Sequence, residues 1–206
     1  MSEQHRSTWM QTSTGLRFHP DQPDPAVIHH LDIANGLSLT CRFSGQIKQF
    51  YSVAEHSILL VEYAKHFFPD MHKKVLLAIL LHDATEAYLG DLTTQVKSNF
   101  PDYKVMEAMW QNTIFDLYGC LYEWETNHSF ISELDTRILL NEKRALYEHP
   151  DMDWGLMHEL EPLVGVSVRG YSPQVAKAKW LDLFNALTPV GILEDMHKNS
   201  RSRDLL

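Results

Sequence analysis

The sequence predicts an all-α fold: a single domain over residues 1–206, built as a bundle of about six helices with its core in residues 31–187, behind an irregular N-terminal segment. Three observations predict it. Apolar residues recur at three- and four-residue intervals in several separate segments. Helix-start chemistry stands at Ser52-Val53-Ala54-Glu55 and at Ser172-Pro173. The longest apolar run, Val75-Leu76-Leu77-Ala78-Ile79-Leu80-Leu81, is poor in β-branched residues and lies in a segment too long for a typical strand.

Taken in order, the first ~30 residues are irregular, because Gly15, Pro20, Pro23 and Pro25 break any periodicity. Ile33, Ala34, Leu37, Ser38 and Cys41 then space out a helix over residues 31–43, ended by Ser44-Gly45. The S-x-x-E sequence at Ser52 reads as a capping box, in which the serine hydroxyl and the Glu55 carboxylate satisfy free amides. The helix it opens runs to Phe67 or Phe68, before Pro69, and carries His56 in its second turn. Residues 73–83 form a third helix, apolar on every face and therefore central and buried. A fourth spans residues 102–118 on Met106, Met109, Trp110, Thr113, Ile114 and Leu117, stopped by Gly119. A fifth covers residues 129–148 with Ile131, Leu134, Ile138 and Ala145 on one stripe. Residues 163–169 alternate weakly and read as extended. The last helix starts at Ser172-Pro173 and turns Ala176, Trp180, Leu183, Phe184 and Leu187 inward.

Bulk properties exclude several classes. A 44% hydrophobic and 22% charged composition is that of a globular chain. No apolar run reaches the roughly 18 residues that span a bilayer. Residues 1–11 are polar and lack an apolar signal core, and Cys41 and Cys120 are too few for a disulfide framework, so the expected compartment is the cytoplasm. A net charge of −9 argues against a nucleic-acid polymer as partner, though not against a small anion held by a metal and local cations.

Chemistry concentrates at four positions. His82-Asp83 closes the most buried helix, and ending such a segment on an imidazole and a carboxylate is costly unless something compensates them. Adjacent helical residues diverge by about 100°, so both can face one point only if the turn loosens before Ala84-Thr85-Glu86. Asp135 falls between Ile131 and Ile138 on an apolar stripe, and His56 lies three residues before Leu59. Together they offer a mixed nitrogen and oxygen site suited to one divalent transition metal: Co, Mn, Zn, Ni or Fe. Structural alternatives stand beside this reading. A His-Asp dipeptide is common, His56 fits a packed core histidine, Asp135 fits a partner for the Arg137 region, and Glu55 fits a cap better than a ligand.

Val53-Ala54-Glu55-His56-Ser57, Leu80-Leu81-His82-Asp83-Ala84-Thr85-Glu86, Gly90-Asp91-Leu92 and Leu134-Asp135-Thr136-Arg137 resemble, in this order, the HD-domain phosphohydrolase superfamily. The likeness is to its bacterial and phage 5'-deoxynucleotidase-like branch. Thr8 through Gly15 and Leu37 through Phe43 resemble the N-terminal pattern of phage-type members, so the likeness covers most of residues 7–187. It implies an HD-type helical bundle and a metal held by His56, His82, Asp83 and Asp135. It also implies phosphate and water handling by Arg42, Glu86 and Asp91, with Phe43 beside the phosphate-binding arginine disfavouring a ribose 2'-OH.

Each of these has a plain alternative: Arg42 as a C-terminal helix cation, Asp91 as a turn residue, Phe43 as a core aromatic. Lys48, Lys97 and Trp9 are further candidates for phosphate or base contact, against solvated or core readings. The chain departs from the phage-type pattern at Asn35-Gly36, where such members often show His-Ala. His128 is the only histidine between Asp83 and Asp135, which favours one metal over two.

The expected activity is metal-dependent removal of phosphate from deoxynucleoside 5'-monophosphates. Its rivals are a dNTP triphosphohydrolase (for example on dATP) and a non-catalytic, metal-stabilised nucleotide-binding module. No membrane partner is expected, and self-association into a homo-oligomer is, on the apolar surface offered by residues 102–118 and the Trp180 helix.

Overall fold

The computed structural model of the chain describes residues 8–155 and 160–192, and its architecture is all-α apart from one small hairpin. The polar opening read as lacking a signal core therefore falls, for residues 1–7, outside the described residues. The hairpin pairs β1 (Met10–Gln11) antiparallel with β2 (Arg17–Phe18). Eight helices follow among the described residues: α1 (His30–Leu39), α2 (Val53–Phe67), α3 (Lys73–Leu81), α4 (Glu86–Leu89), α5 (Thr94–Lys97), α6 (Pro101–Leu117), α7 (Leu121–Leu146) and α8 (Pro173–Leu187). None is long and apolar enough to cross a membrane.

Helix α3 sits at the centre, packed on α2, α6, α7 and α8, and its residues Leu76 to Leu81 are all buried. That is the outcome its uninterrupted apolar run predicts. Helix α2 lies beside it and also touches α1, α7 and α8. Ser52 caps α2 as expected, its Oγ accepting from the Glu55 amide at 3.1 Å. Ser172 caps α8 in the same way through the Val175 amide. Gly119, at φ 68°, ends α6 in the left-handed conformation that a side chain would resist.

Several boundaries differ from the sequence reading, each for a physical reason. Helix α1 ends at Leu39, not near Phe43, because the chain turns sharply through a 3-10 segment (Arg42–Gly45) in which Phe43 and Ser44 are left-handed. Helix α7 begins at Leu121 rather than residue 129, and its buried stripe continues through Glu142 and Leu146, leaving Ala145 exposed. The short helices α4 and α5 raise the expected six to eight. The N-terminal segment is less irregular than expected because Asp32 accepts bonds from Ser13 Oγ, the Thr14 amide and Thr14 Oγ1, clamping the hairpin turn onto α1.

Residues 163–169 form no strand. Instead the Glu55 carboxylate accepts from the amides of Arg169 (2.7 Å), Gly170 (3.0 Å) and Tyr171 (2.7 Å), so a side chain does what a pairing strand would have done. Glu55 is thus a cap, but of this distant loop and not of its own helix.

Gly36 is required by packing. A Cβ there would lie 2.7 Å from the Ala87 Cβ and 2.8 Å from its Cα, so α1 and α4 could not approach as they do. Gly36→Ala is expected to lower stability by about 1–3 kcal/mol through overpacking, measurable as a shift in the urea midpoint. An unchanged midpoint would mean that α4 gives way at no cost.

Candidate metal centre

Three elements bring four polar side chains to one point. His56 stands one turn into α2 and is fully buried. His82 and Asp83 follow the last turn of α3, where the backbone loosens into turns: the Ala84 amide bonds back to Leu81 and the Glu86 amide to Asp83. This is the loosening that lets neighbouring residues face one centre. Gln111 of α6 gives the Leu81 carbonyl a second donor at 3.1 Å, beside the Ala84 amide. Asp135 projects from the middle of α7, half-exposed at the edge of the buried stripe and not within it.

The distances define a small polyhedron. His56 Nε2 lies 3.2 Å from His82 Nε2, 3.6 Å from Asp83 Oδ2 and 3.1 Å from Asp135 Oδ1. His82 Nε2 lies 3.3 Å from Asp83 Oδ2 and 3.8 Å from Asp135 Oδ1. Ligands about 2.0–2.1 Å from a tetrahedral ion are separated from one another by about 3.3 Å, so these spacings fit a transition-metal site. Ligand atoms of His56, His82 and Asp83 lie within 4.8 Å of one another and could hold an ion, while Asp135, the fourth expected ligand, approaches both imidazoles but stands outside that group.

Tautomers sharpen the fit. His56 Nδ1 donates to Glu142 Oε1 at 2.7 Å, and His82 Nδ1 donates to the Ile79 carbonyl at 2.8 Å. With both Nδ1 atoms protonated, two neutral imidazoles turn bare Nε2 lone pairs toward each other and toward two carboxylates. A cluster made only of acceptors calls for a cation or for protons. The same demand appears as titration. Burial opposes the charged form of both histidines, yet Asp83 and Asp135 beside His82, and Glu142 and Asp135 beside His56, raise both above the ordinary imidazole value. Burial alone would raise the Asp83 and Asp135 carboxyls, but the two imidazoles hold both below the usual carboxylate range.

Glu142 is the residue the sequence reading missed. It is fully buried two helical turns beyond Asp135, and it also accepts from Tyr51 Oη at 2.8 Å and from Arg42 at 3.3 Å. Its only signal was the seven-residue spacing from Asp135, easily lost in the polar run Asn141-Glu142-Lys143-Arg144.

Asp83 and Asp135 open onto a cleft of about 1300 Å³, also lined by Arg42, Phe43, Lys48, Glu86, Asp91 and Lys97, among others. Arg42 does not cap α1. Its guanidinium, nearly buried, bridges Asp83 at 3.3 Å and Glu142 at 3.3 Å, and its Nε has no hydrogen-bond partner. Phe43, half-buried and packed against the core, also forms part of the cleft wall, with Arg42 Cζ 5.3 Å from its ring. Burial, with Asp83 and Asp91 close by, pushes the Glu86 carboxyl well above its ordinary value, and its Oε2 is buried without a partner. Burial likewise raises Asp91, against the pull of Arg42.

Lys97 reaches the cleft but spends its ammonium on Glu107 at 2.6 Å, 3.6 Å from Glu86. Lys48 lines the cleft as an exposed side chain. Trp9 lies elsewhere, its ring 4.2 Å beneath the Arg17 guanidinium, and His128 packs edge-on against Trp124 on the surface of α7. Asn35, at the departure from the phage-type pattern, accepts from Lys177 Nζ at 2.9 Å.

No protein-family profile matches the chain. It is 30% identical over 181 residues, 88% of its own length, to the uncharacterized protein YfdR of Escherichia coli K12, of which it covers 96%. The chain belongs to the YfdR family. An uncharacterized protein of Rhodobacter capsulatus is 40% identical over 95 residues, 45% of this chain and 48% of that protein.

Because Glu142 fixes the His56 tautomer, Glu142→Gln is expected to weaken divalent-metal affinity roughly 10- to 100-fold with the helical circular dichroism unchanged. Competition with a chromogenic chelator reads this directly, and an unaltered affinity would remove Glu142 from the site.

Proposed function

We propose that this YfdR-family chain is a metal-dependent phosphohydrolase of the HD-domain type that removes phosphate from deoxynucleoside 5'-monophosphates. The observation that carries the reading is the acceptor-only cluster of His56, His82, Asp83 and Asp135, whose two carboxylates open onto a cleft that also presents Arg42 and a carboxyl raised in pKa, Glu86. The order and spacing of the HD-like motifs support it. A bound divalent ion would neutralise phosphoryl charge and acidify a water molecule.

The chain's own side chains have separable tasks. Arg42 sits with one nitrogen on Asp83 and one on Glu142, so its planar fork is already oriented at the cluster to take phosphoryl oxygens. Glu86, whose carboxyl burial and the neighbouring Asp83 and Asp91 push up, suits delivery of a proton to the leaving oxygen. Asp91, at the same wall, suits orientation of the attacking water. Phe43 places an aromatic ring beside Arg42, where bulk near the sugar would disfavour a 2'-OH. We place the activity in the cytoplasm, where two unpaired thiols, Cys41 and Cys120, suit a reducing compartment.

A second reading, release of triphosphate from a dNTP, is favoured by one observation. The cleft of about 1300 Å³ exceeds the usual small-ligand range of roughly 300–1,000 Å³, and exposed Lys48 on its wall is a spare cation for a longer phosphate chain. Assay of metal-loaded protein on dNMPs and dNTPs decides: inorganic phosphate from dNMPs supports the first, triphosphate from dNTPs the second, and no product from either overturns both. Asp83→Ala is expected to abolish metal binding and turnover together. Glu86→Ala should keep the metal and lose roughly 10²–10⁴ in kcat, and near-normal kcat would remove its acid role.

We also propose self-association. Trp110 and Trp180 are buried, but Phe100, Val105 and Met109, 56%, 62% and 46% exposed, stand just before and along the first half of α6, and Val175, 43% exposed, on α8. Light scattering at micromolar concentration is expected to show a dimer or larger, and a monomer would exclude it.

A further inference from the structure

Beyond Arg42 the cleft ends in an aromatic corner that no step of the phosphate chemistry uses. Phe43, Tyr147 and Trp154 all line the cleft and are all partly exposed. Their ring centroids are 5.6 Å apart for Phe43 and Tyr147, 6.0 Å for Phe43 and Trp154, and 5.0 Å for Tyr147 and Trp154. Tyr147 meets the other two edge to face, at 79° and 85°, and Phe43 and Trp154 are tilted at 54°, so no two of the rings are stacked on one another. Lys143 Nζ stands 5.3 Å from the Trp154 ring, and its bond to the Met152 carbonyl ties the loop that carries the tryptophan to α7.

A second, independent feature points the same way. Phe43 and Ser44 are consecutive non-glycine residues in the left-handed region, at φ 57° and 52°. Such residues are strained, and a bulky side chain there is an outlier. Strain of this kind persists where the surroundings over-determine it, and it clusters at ligand clamps. Its effect here is to take Phe43 off the end of the first helix and set it between the guanidinium and the other two rings.

Arg42, 3.3 Å from Asp83, has its Cζ 5.3 Å from the Phe43 ring, and the Tyr147 and Trp154 rings adjoin Phe43 at 5.6 and 6.0 Å in the same cleft. A ligand with its phosphate at Arg42 therefore has one ring beside the guanidinium and two more rings adjoining that one. We infer that Tyr147 and Trp154 form a subsite for the base of the nucleotide, a planar heteroaromatic group held by stacking. The identity of the planar group rests on the nucleotide reading above; the subsite itself does not rest on hydrolysis.

The test is therefore a binding measurement. Metal-loaded full-length protein is titrated with the four 2'-deoxynucleosides, which carry base and sugar without phosphate, and with 2-deoxyribose 5-phosphate, which carries no base, followed by saturation-transfer NMR. At least one nucleoside is expected to bind, with its base protons receiving the strongest transfer. Trp154→Ala and Tyr147→Ala should each weaken nucleoside binding at least roughly fivefold and leave 2-deoxyribose 5-phosphate unaffected. Trp154→Phe, which keeps a ring, should retain most of the affinity.

The inference is overturned if no nucleoside binds, if the alanine variants bind as the parent does, or if they lose both probes equally. Nucleoside binding that depends on Trp154, in a protein releasing no phosphate from any nucleotide, would sink the hydrolase reading and leave the base subsite standing.

Discussion

The carboxylate of Glu142 is the point on which the site depends. It is shut away from water between Tyr51, Arg42 and His56, where an unpaired charge would cost several kcal/mol, and each neighbour donates to it. Through His56 it fixes which imidazole nitrogen faces the cluster; through Arg42 it fixes where the guanidinium lies. Helix α7 therefore carries two unlike contributions two turns apart: Asp135, at the edge of the cleft, and Glu142, wholly inside. A small rotation of this helix about its axis would disturb both, which ties the register of α7 against α3 to the chemistry of the cluster.

The rest of the cleft depends on departures from regular helix. His82 and Asp83 converge because α3 gives up its hydrogen-bond ladder after Leu81, with Gln111 meeting that residue's carbonyl. Arg42 and Phe43 face the cleft because the chain after α1 turns through two left-handed residues. His56, Asp135 and Glu142 come instead from the interiors of regular helices, so the site joins side chains presented by α2 and α7 to others presented by interruptions of the chain.

Much of this was legible in the sequence. His82-Asp83 announced itself by breaking off the most apolar run in the chain, and Ser52 and Ser172 marked their helices by capping chemistry that needs only neighbouring residues. What could not be read locally was burial decided by distant partners. Glu142 sits in a charged run that resembles a solvated face, and Tyr147 looked like the last turn of a helix that in fact ends at Leu146. Cys41 prolonged the periodicity of α1 past its true end, hiding the turn that redirects Phe43. Glu55 had the right spacing for a capping box, but the three amides of residues 169–171 claimed its carboxylate. Residues 163–169 alternate like a strand, yet that clamp occupies amides at the end of the segment, leaving it an irregular loop.

The position of Glu55 next to His56 has a consequence for how the molecule assembles. His56 is completed by Glu142, 86 residues later, and Glu55 by a loop up to 116 residues later. Contacts of such separation form only after the chain has closed large loops, so they come late in folding. In a zinc finger, ligands close in sequence let the ion organise an otherwise unfolded peptide. Here the ligand set cannot exist until α2, α3 and α7 are docked. The ion pocket is a product of the completed core, not the seed around which the chain gathers.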